Sequence, residues 1–157
     1  MATLTNLETL HFVKGLDPVA DALSGTVYSD VVDMKEHYEM LFVIYKGVGT
    51  TGTSAITVQA CDDTTPSNRT AIPFWYRAIT SGDTHGAMTA AAATGFTLTA
   101  GSSQIYVIGV TQEQLISSGY RYVQLKAVED TNDPVLAGIL IIGCQPVHAT
   151  AHNSIVD

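Results

Sequence analysis

Apolar positions along the 157-residue chain recur at every second residue or in short unbroken runs, a pattern of strands and not of helices. Residues 1–24 break it. Leu4, Leu7, Leu10, Phe12, Val13 and Leu16 are mixed there with polar residues at no sustained period, and Asp17-Pro18 and Ser24-Gly25 mark turns. This segment reads as an arm that packs on its own domain or on a neighbour. Residues 26–32 predict a first strand, and 33–37 a polar connection. Residues 39–46 and 55–61 predict two strands joined in a hairpin by the stretch GVGTTGTS at 47–54, whose glycines would supply positive φ.

Further along, 62–69 is dense in turn residues. Residues 73–79 form an aromatic-rich strand, and AMTAAAAT at 87–94 a helical turn or a surface loop. Residues 96–99 and 104–110 give two more strands. TQEQ at 111–114 resembles a capping box opening one short helix that ends near Ser118-Gly119. Residues 120–128 alternate, with Arg121, Val123, Leu125 and Ala127 inward and Tyr120, Tyr122, Gln124 and Lys126 outward. The apolar run 135–142 predicts a strand buried on both faces.

About eight strands with one short helix predict an all-β fold, an antiparallel β-sandwich or jelly-roll-like domain. It spans residues 25–144, between an extended N-terminal arm (1–24) and a C-terminal tail (145–157). Strand–helix alternation is missing, which disfavours a parallel α/β sheet.

Composition sharpens this picture. Charged residues make up 14% of the chain, against about 25% in ordinary soluble domains. A surface poor in charge loses less solvation when another protein covers it, so the chain reads as a subunit of an assembly. The net charge is −8, and the seven bases are scattered. Without a basic stripe, direct nucleic-acid binding is not expected. The run 135–142 is too short to span a bilayer, so no membrane partner is expected. MATLTNLETLHFVKG lacks a basic start followed by an apolar run, which predicts a cytosolic product. Cys61 and Cys144 read as small buried residues, with one bridge between them left open.

Candidate chemistry adds little. GVGTTGTS resembles a phosphate-binding loop, but Thr53 stands where a lysine must reach the phosphates, and a strand follows where a helix is needed. His148 and His152 have the i, i+4 spacing of two metal ligands, yet no glutamate follows the first and no third ligand is evident. Asp62-Asp63 and the 130–133 segment are oxygen-rich but lack the spacing of a calcium loop. No nucleophile elbow or poised acid–base pair is present. Asn68-Arg69-Thr70 matches a glycosylation sequon by chance in a chain with no export signal. No catalytic residue, cofactor or metal site is therefore assigned, and no enzymatic activity is expected. Phe74-Trp75-Tyr76 is more informative. Neighbouring strand residues point to opposite faces, so one face presents aromatics outward or lies under another subunit.

The runs at 24–32, 41–49, 56–63, 100–107 and 119–127 together resemble small virion proteins of tailed bacteriophages. The resemblance is one of pattern, covers about residues 24–143, and has no catalytic motif to anchor it. It implies a capsid decoration, or cement, protein: a β domain, often a homotrimer, made in the host bacterial cytoplasm and bound on the outside of the head. There it would bridge major capsid protein subunits against internal DNA pressure. Leu7, Leu10 and Phe12 of the arm, with Trp75 and Tyr76, are the candidate protein-interaction residues. The alternative is a virion-displayed fibre or receptor-binding domain, with Trp75, Tyr76 and Tyr120 as stacking platforms for sugar rings.

Overall fold

A computed structural model describes residues 9–147. Alternating apolar positions from distant parts of the chain meet between two sheets, and the fold is an all-β sandwich in which every strand pairing is antiparallel. The strands are β1 (His11–Val19), β2 (Thr26–Tyr28), β3 (Val32–Asp33), β4 (His37–Lys46), β5 (Thr53–Cys61), β6 (Arg69–Ile72), β7 (Phe74–Ile79), β8 (Thr89–Ala91), β9 (Phe96–Thr97), β10 (Gln104–Thr111), β11 (Tyr122–Thr131) and β12 (Ala137–Pro146). The first sheet runs β1-β12-β4-β10-β7-β8. The second runs β2-β11-β5-β6, with β3 also on β11 and β9 on β5.

Met40, Phe42 and Ile44 of β4 and Tyr106, Ile108 and Val110 of β10 turn inward from the first sheet. Ile56, Val58 and Ala60 of β5 and Val123, Leu125 and Ala127 of β11 turn inward from the second, and all of these are buried. Each buried Phe, Ile, Leu or Val contributes about 1.5–3 kcal/mol. One end of the sandwich closes with a polar network. Lys46 donates from Nζ to the Thr99 carbonyl at 2.7 Å. Tyr106 accepts from Thr99 N–H at 2.9 Å and donates to Gln104 Oε1 at 3.0 Å. Burial holds the Lys46 ammonium below the usual lysine pKa.

The predicted helix is α1 (Gln112–Leu115), continued by a 3-10 turn over Ile116–Ser118. Thr111 N–H donates to Gln114 Oε1 at 2.8 Å, and Gly119 ends the segment at φ 73°.

Several expectations are corrected. The strands flanking GVGTTGTS do not form a hairpin: β4 lies in the first sheet and β5 in the second. Nor do its glycines take positive φ. A Cβ on Gly47 would meet Leu136 Cδ2 at 2.9 Å and one on Gly49 would meet Val135 Cγ2 at 3.2 Å, while one on Gly52 would run into the Asp133 carbonyl. The stretch crosses between sheets under the segment before β12, and its glycines make room for that packing. Of the two expected placements of the 1–24 arm, on its own domain or on a neighbour, its described part takes the first. Residues 11–19 are β1, an edge of the first sheet, because an arm with this many apolar residues gains by pairing. At the other end, β12 continues past 144 to Pro146.

Residues 26–32 split into β2 and β3 at Ser29. Its Oγ accepts from Leu125 N–H at 2.9 Å, its own N–H donates to the Leu125 carbonyl, and the next residue leaves the ladder. The polar connection 33–37 is a 3-10 turn over Met34–Glu36 that buries Met34, with His37 buried beyond it. Residues 89–91 are strand β8 and not a helical turn, since β7 offers a pairing edge that outweighs alanine's helix preference. Arg121 faces out and pairs with Asp33 at 2.8 Å. Gln124, expected outward, is buried and donates to Gln59 Oε1 at 3.2 Å. Finally, β12 is buried on one face only.

Candidate protein-binding face

That last correction locates the site. In β4, β10 and β12 the inward residues fill the core, while most outward residues are also apolar and no other element of the described residues packs over them. Register places them in rows across five strands. One row is Phe12, Ile142, Leu41, Gly109 and Trp75. The next is Lys14, Leu140, Val43, Val107 and Arg77, with a cation at each end and three aliphatic residues between. Tyr45 and Ile105 pair in the row beyond. Phe12 is 51% exposed, Trp75 48%, Tyr45 60% and Leu140 40%. An antiparallel sheet with a solvated face ordinarily alternates apolar-in and polar-out. Contiguous exposed apolar surface rimmed by polar groups marks an interaction site.

The face carries two grooves. One, of about 430 Å³, lies among Lys14, Leu16, Val43, Tyr45, Ile105 and Leu140. It opens where β1 departs from β12 at two register irregularities, between Lys14 and Leu16 and between Leu16 and Val19. The other, of about 210 Å³, lies among Glu39, Leu41, Trp75, Arg77, Val107 and Gly109.

Of the interaction residues expected from sequence, Phe12 and Trp75 share one row at opposite sides of this face. Tyr76 turns to the other side of β7 and stacks on Phe96, with ring centroids 3.9 Å apart and planes 4° from parallel. Tyr120 is also partly buried against the core. Leu10 is half-buried, and Leu7 lies outside the described residues, as do His148 and His152. Leu41, Val43, Tyr45, Ile105, Val107, Leu140 and Ile142 were not singled out by sequence. The signal for them is the lack of any polar alternation in 40–45, 105–108 and 139–142, which reads equally as burial on both sides.

The remaining candidates separate. Cys61 lies on β5 and Cys144 on β12, in different sheets, and both are free thiols. Burial pushes each thiol up to about 11. The Asp62 carboxylate organises its own loop. It accepts from Ser67 N–H at 3.1 Å, Asn68 N–H at 3.0 Å and Asn68 Nδ2 at 2.8 Å, and the Asn68 side chain leads in lowering its pKa. Asp133 accepts from Thr50 Oγ1 at 2.7 Å and Thr51 N–H at 3.0 Å, and these donors, Thr50 first, bring it down to about 2. Both carboxylates thus serve turns. Among the described residues, no three His, Cys, Asp or Glu side chains come together as a metal site would need.

No protein-family model matches the chain, and no curated protein is significantly similar to it. Among solved structures it is similar to the SPBc2 prophage-derived protein YomS, at 14% identity over 84% of this chain and 92% of that one, with a TM-score of 0.43. It is also similar to the VP2 subviral particle of infectious bursal disease virus, at 12% identity over 97% of this chain and 45% of that one, with a TM-score of 0.26. All these likenesses are low, and nothing about the role of this chain follows from them.

Proposed function

We propose that this protein is a non-enzymatic virion structural protein that binds the outside of a phage capsid lattice and stabilises the head. The observation that carries the reading is the apolar outer face of the first sheet, left uncovered by the described residues and bracketed by Lys14 and Arg77. Such a face gains from being covered by protein, and the chain's low charge reduces the desolvation that covering costs. The sequence resemblance to small phage virion proteins supplies the partner, the major capsid protein. A protein that binds only the assembled lattice stabilises it by mass action, and linked copies turn weak contacts into a persistent one.

The test is co-sedimentation of the purified chain with phage heads that lack it, followed by the temperature at which they release DNA. Binding that raises the release temperature is expected, and Val43→Asp should abolish it. Heads that neither bind the chain nor gain stability would refute the reading. Of the three aromatics in the carbohydrate-binding alternative, Trp75 alone is exposed on this face. Residue positions thus favour a protein partner over a row of sugar-stacking rings.

A further inference from the structure

One glycine on the apolar face has no explanation among the described residues. Four glycines lie in the strands. A Cβ on Gly15 would meet Ile141 Cγ1 at 2.8 Å, one on Gly138 would meet Pro18 Cβ at 3.1 Å, and one on Gly143 would meet His37 Cδ2 at 2.9 Å. Each of these three is therefore closely packed against a neighbour. Gly109 differs: its nearest neighbours would be Glu39 Oε1 and Leu41 Cδ2, both at an ordinary 3.5 Å, and its φ is not positive. A glycine inside a strand weakens it; register runs unbroken through Gly109 on both sides, so no bulge accounts for it, and such a glycine often marks a site where a ligand or another backbone approaches closely. Gly109 points outward at the middle of the Leu41–Trp75 row.

The charges around Gly109 indicate what approaches. Glu39 pairs in register with Thr111, and Arg77 with Val107. Gly109 lies halfway between those two β10 positions, and β10 lies between β4 and β7. Glu39 and Arg77 are thus placed symmetrically about Gly109, on opposite sides. Two strand spacings and four residues put their Cα atoms about 16 Å apart, too far to pair within one chain. Among the described residues Arg77 makes no ion pair, while Glu39 accepts from Gln145 Nε2 at 3.1 Å. A two-fold axis over Gly109, lying in the face, would carry each Arg77 onto the Glu39 of a second copy.

We infer that the apolar face of the first sheet is where two copies of this chain pair, about a two-fold axis at Gly109, with reciprocal Arg77–Glu39 contacts. An isologous contact makes every pair twice, so one opposite-charge couple becomes two. The backbone of the face spans about 19 by 20 Å, on the order of 400 Å² in projection, which with overhanging side chains fits the small end of protein interfaces, below the about 800 Å² per partner of a standard one. Each copy carries −8, so contact is favoured where two of the seven bases, Lys14 and Arg77, rim an apolar centre. The inference rests on the reading of this face as protein-covered but gives it to a second copy, so that the pair meets the lattice through its other surfaces and loss of pairing weakens head binding by removing the link between copies.

The test is the solution mass of the full chain by sedimentation velocity, for the wild type, Arg77→Glu, Glu39→Arg, the double exchange and Gly109→Leu, with circular dichroism confirming that each is folded. The wild type should have twice the 16.7 kDa of one chain. Each single reversal should weaken pairing on the order of a hundredfold, since it creates two like-charge contacts per pair. The double exchange should restore pairing, and Gly109→Leu should abolish it while leaving the fold intact. A wild type that stays a single chain overturns the inference. If Gly109→Leu then still loses binding to heads, the face belongs to the capsid partner and the proposed function stands. A trimer whose mass none of these changes alters also overturns it. A two-copy assembly that responds as expected but binds no heads upholds this inference and refutes the decoration role.

Discussion

Replacing Gly47, Gly49 and Gly52 one at a time by alanine should give a graded series, because the three positions meet different obstacles. At Gly49 the nearest atom to the new Cβ is Val135 Cγ2 at 3.2 Å, so the neighbour must give by a few tenths of an ångström. Reduced freedom of the unfolded chain offsets this by about 0.4–1 kcal/mol, and the net change should be near zero. At Gly47 the obstacle is Leu136 Cδ2 at 2.9 Å, the end of a side chain that can change rotamer, for a net loss of about 1 kcal/mol. At Gly52 the Cβ would meet the Asp133 backbone carbonyl and, at 2.5 Å, Val135 Cγ2. No rotamer relieves a backbone clash. The loop must move, and the Thr50 and Thr51 hydrogen bonds to Asp133 go with it. Overpacking of this kind costs about 1–3 kcal/mol, and with the lost contacts the net should approach 3 kcal/mol. For a chain of this size each kcal/mol moves Tm by about 2–4 °C. Urea unfolding and thermal melts should therefore place Gly49→Ala beside the wild type and Gly52→Ala roughly 6–12 °C below it. Equal losses at the three positions would refute the close-packing account and favour a conformational requirement common to all.

Other consequences can be checked with small amounts of protein. Phe42→Ala should cost about 3–5 kcal/mol in urea unfolding, whereas Val43→Ala, one residue along on the outer face, should cost under about 1 kcal/mol in the single chain. Asp133 is depressed to about 2 by Thr50 and Thr51. Its contribution should be complete above the ordinary aspartate range and lost as pH falls through about 2, and Asp133→Asn should flatten the acid limb of the stability curve. Because burial pushes both thiols to about 11, Cys61 and Cys144 should react with iodoacetamide at pH 8 far more slowly in the folded chain than in urea. A mild oxidant should form no bridge between them, as peptide mapping would show. Ser29→Ala should destabilise by about 1–3 kcal/mol, since it strips the acceptor from the buried Leu125 N–H.

Periodicity carried the fold class and most strand positions, because alternation is a local property that pairing only has to respect. The residues 39–46, 55–61 and 104–110 all fall inside strands, as does 120–128 from Tyr122 on, and the capping signal at 111–114 found the helix. What sequence could not reveal was set by partners distant in the chain. Ala90 is strand because β7 runs alongside it. Ser29 ends β2 because Leu125, nearly a hundred residues on, can use its hydroxyl. The assignment of β4 and β5 to different sheets lies in no local pattern, and neither does the reason for Gly52, which is a carbonyl at position 133.

The candidate face was hidden by a degeneracy of another kind. An apolar residue between two core positions reads the same whether it contacts a second layer of its own chain or the surface of another protein. The run at 139–142 satisfies both descriptions, and sequence assigns it to the interior because interiors are common. Among the described residues the two descriptions separate: the second sheet packs against the inner side of β12, while Leu140 and Tyr45 stay exposed on the outer side. In the proposed pairing a second copy supplies the outer layer. The proposed function therefore depends on what the described fold leaves uncovered, and Gly109, with room for a side chain it does not carry, is where the proposed second copy would come nearest.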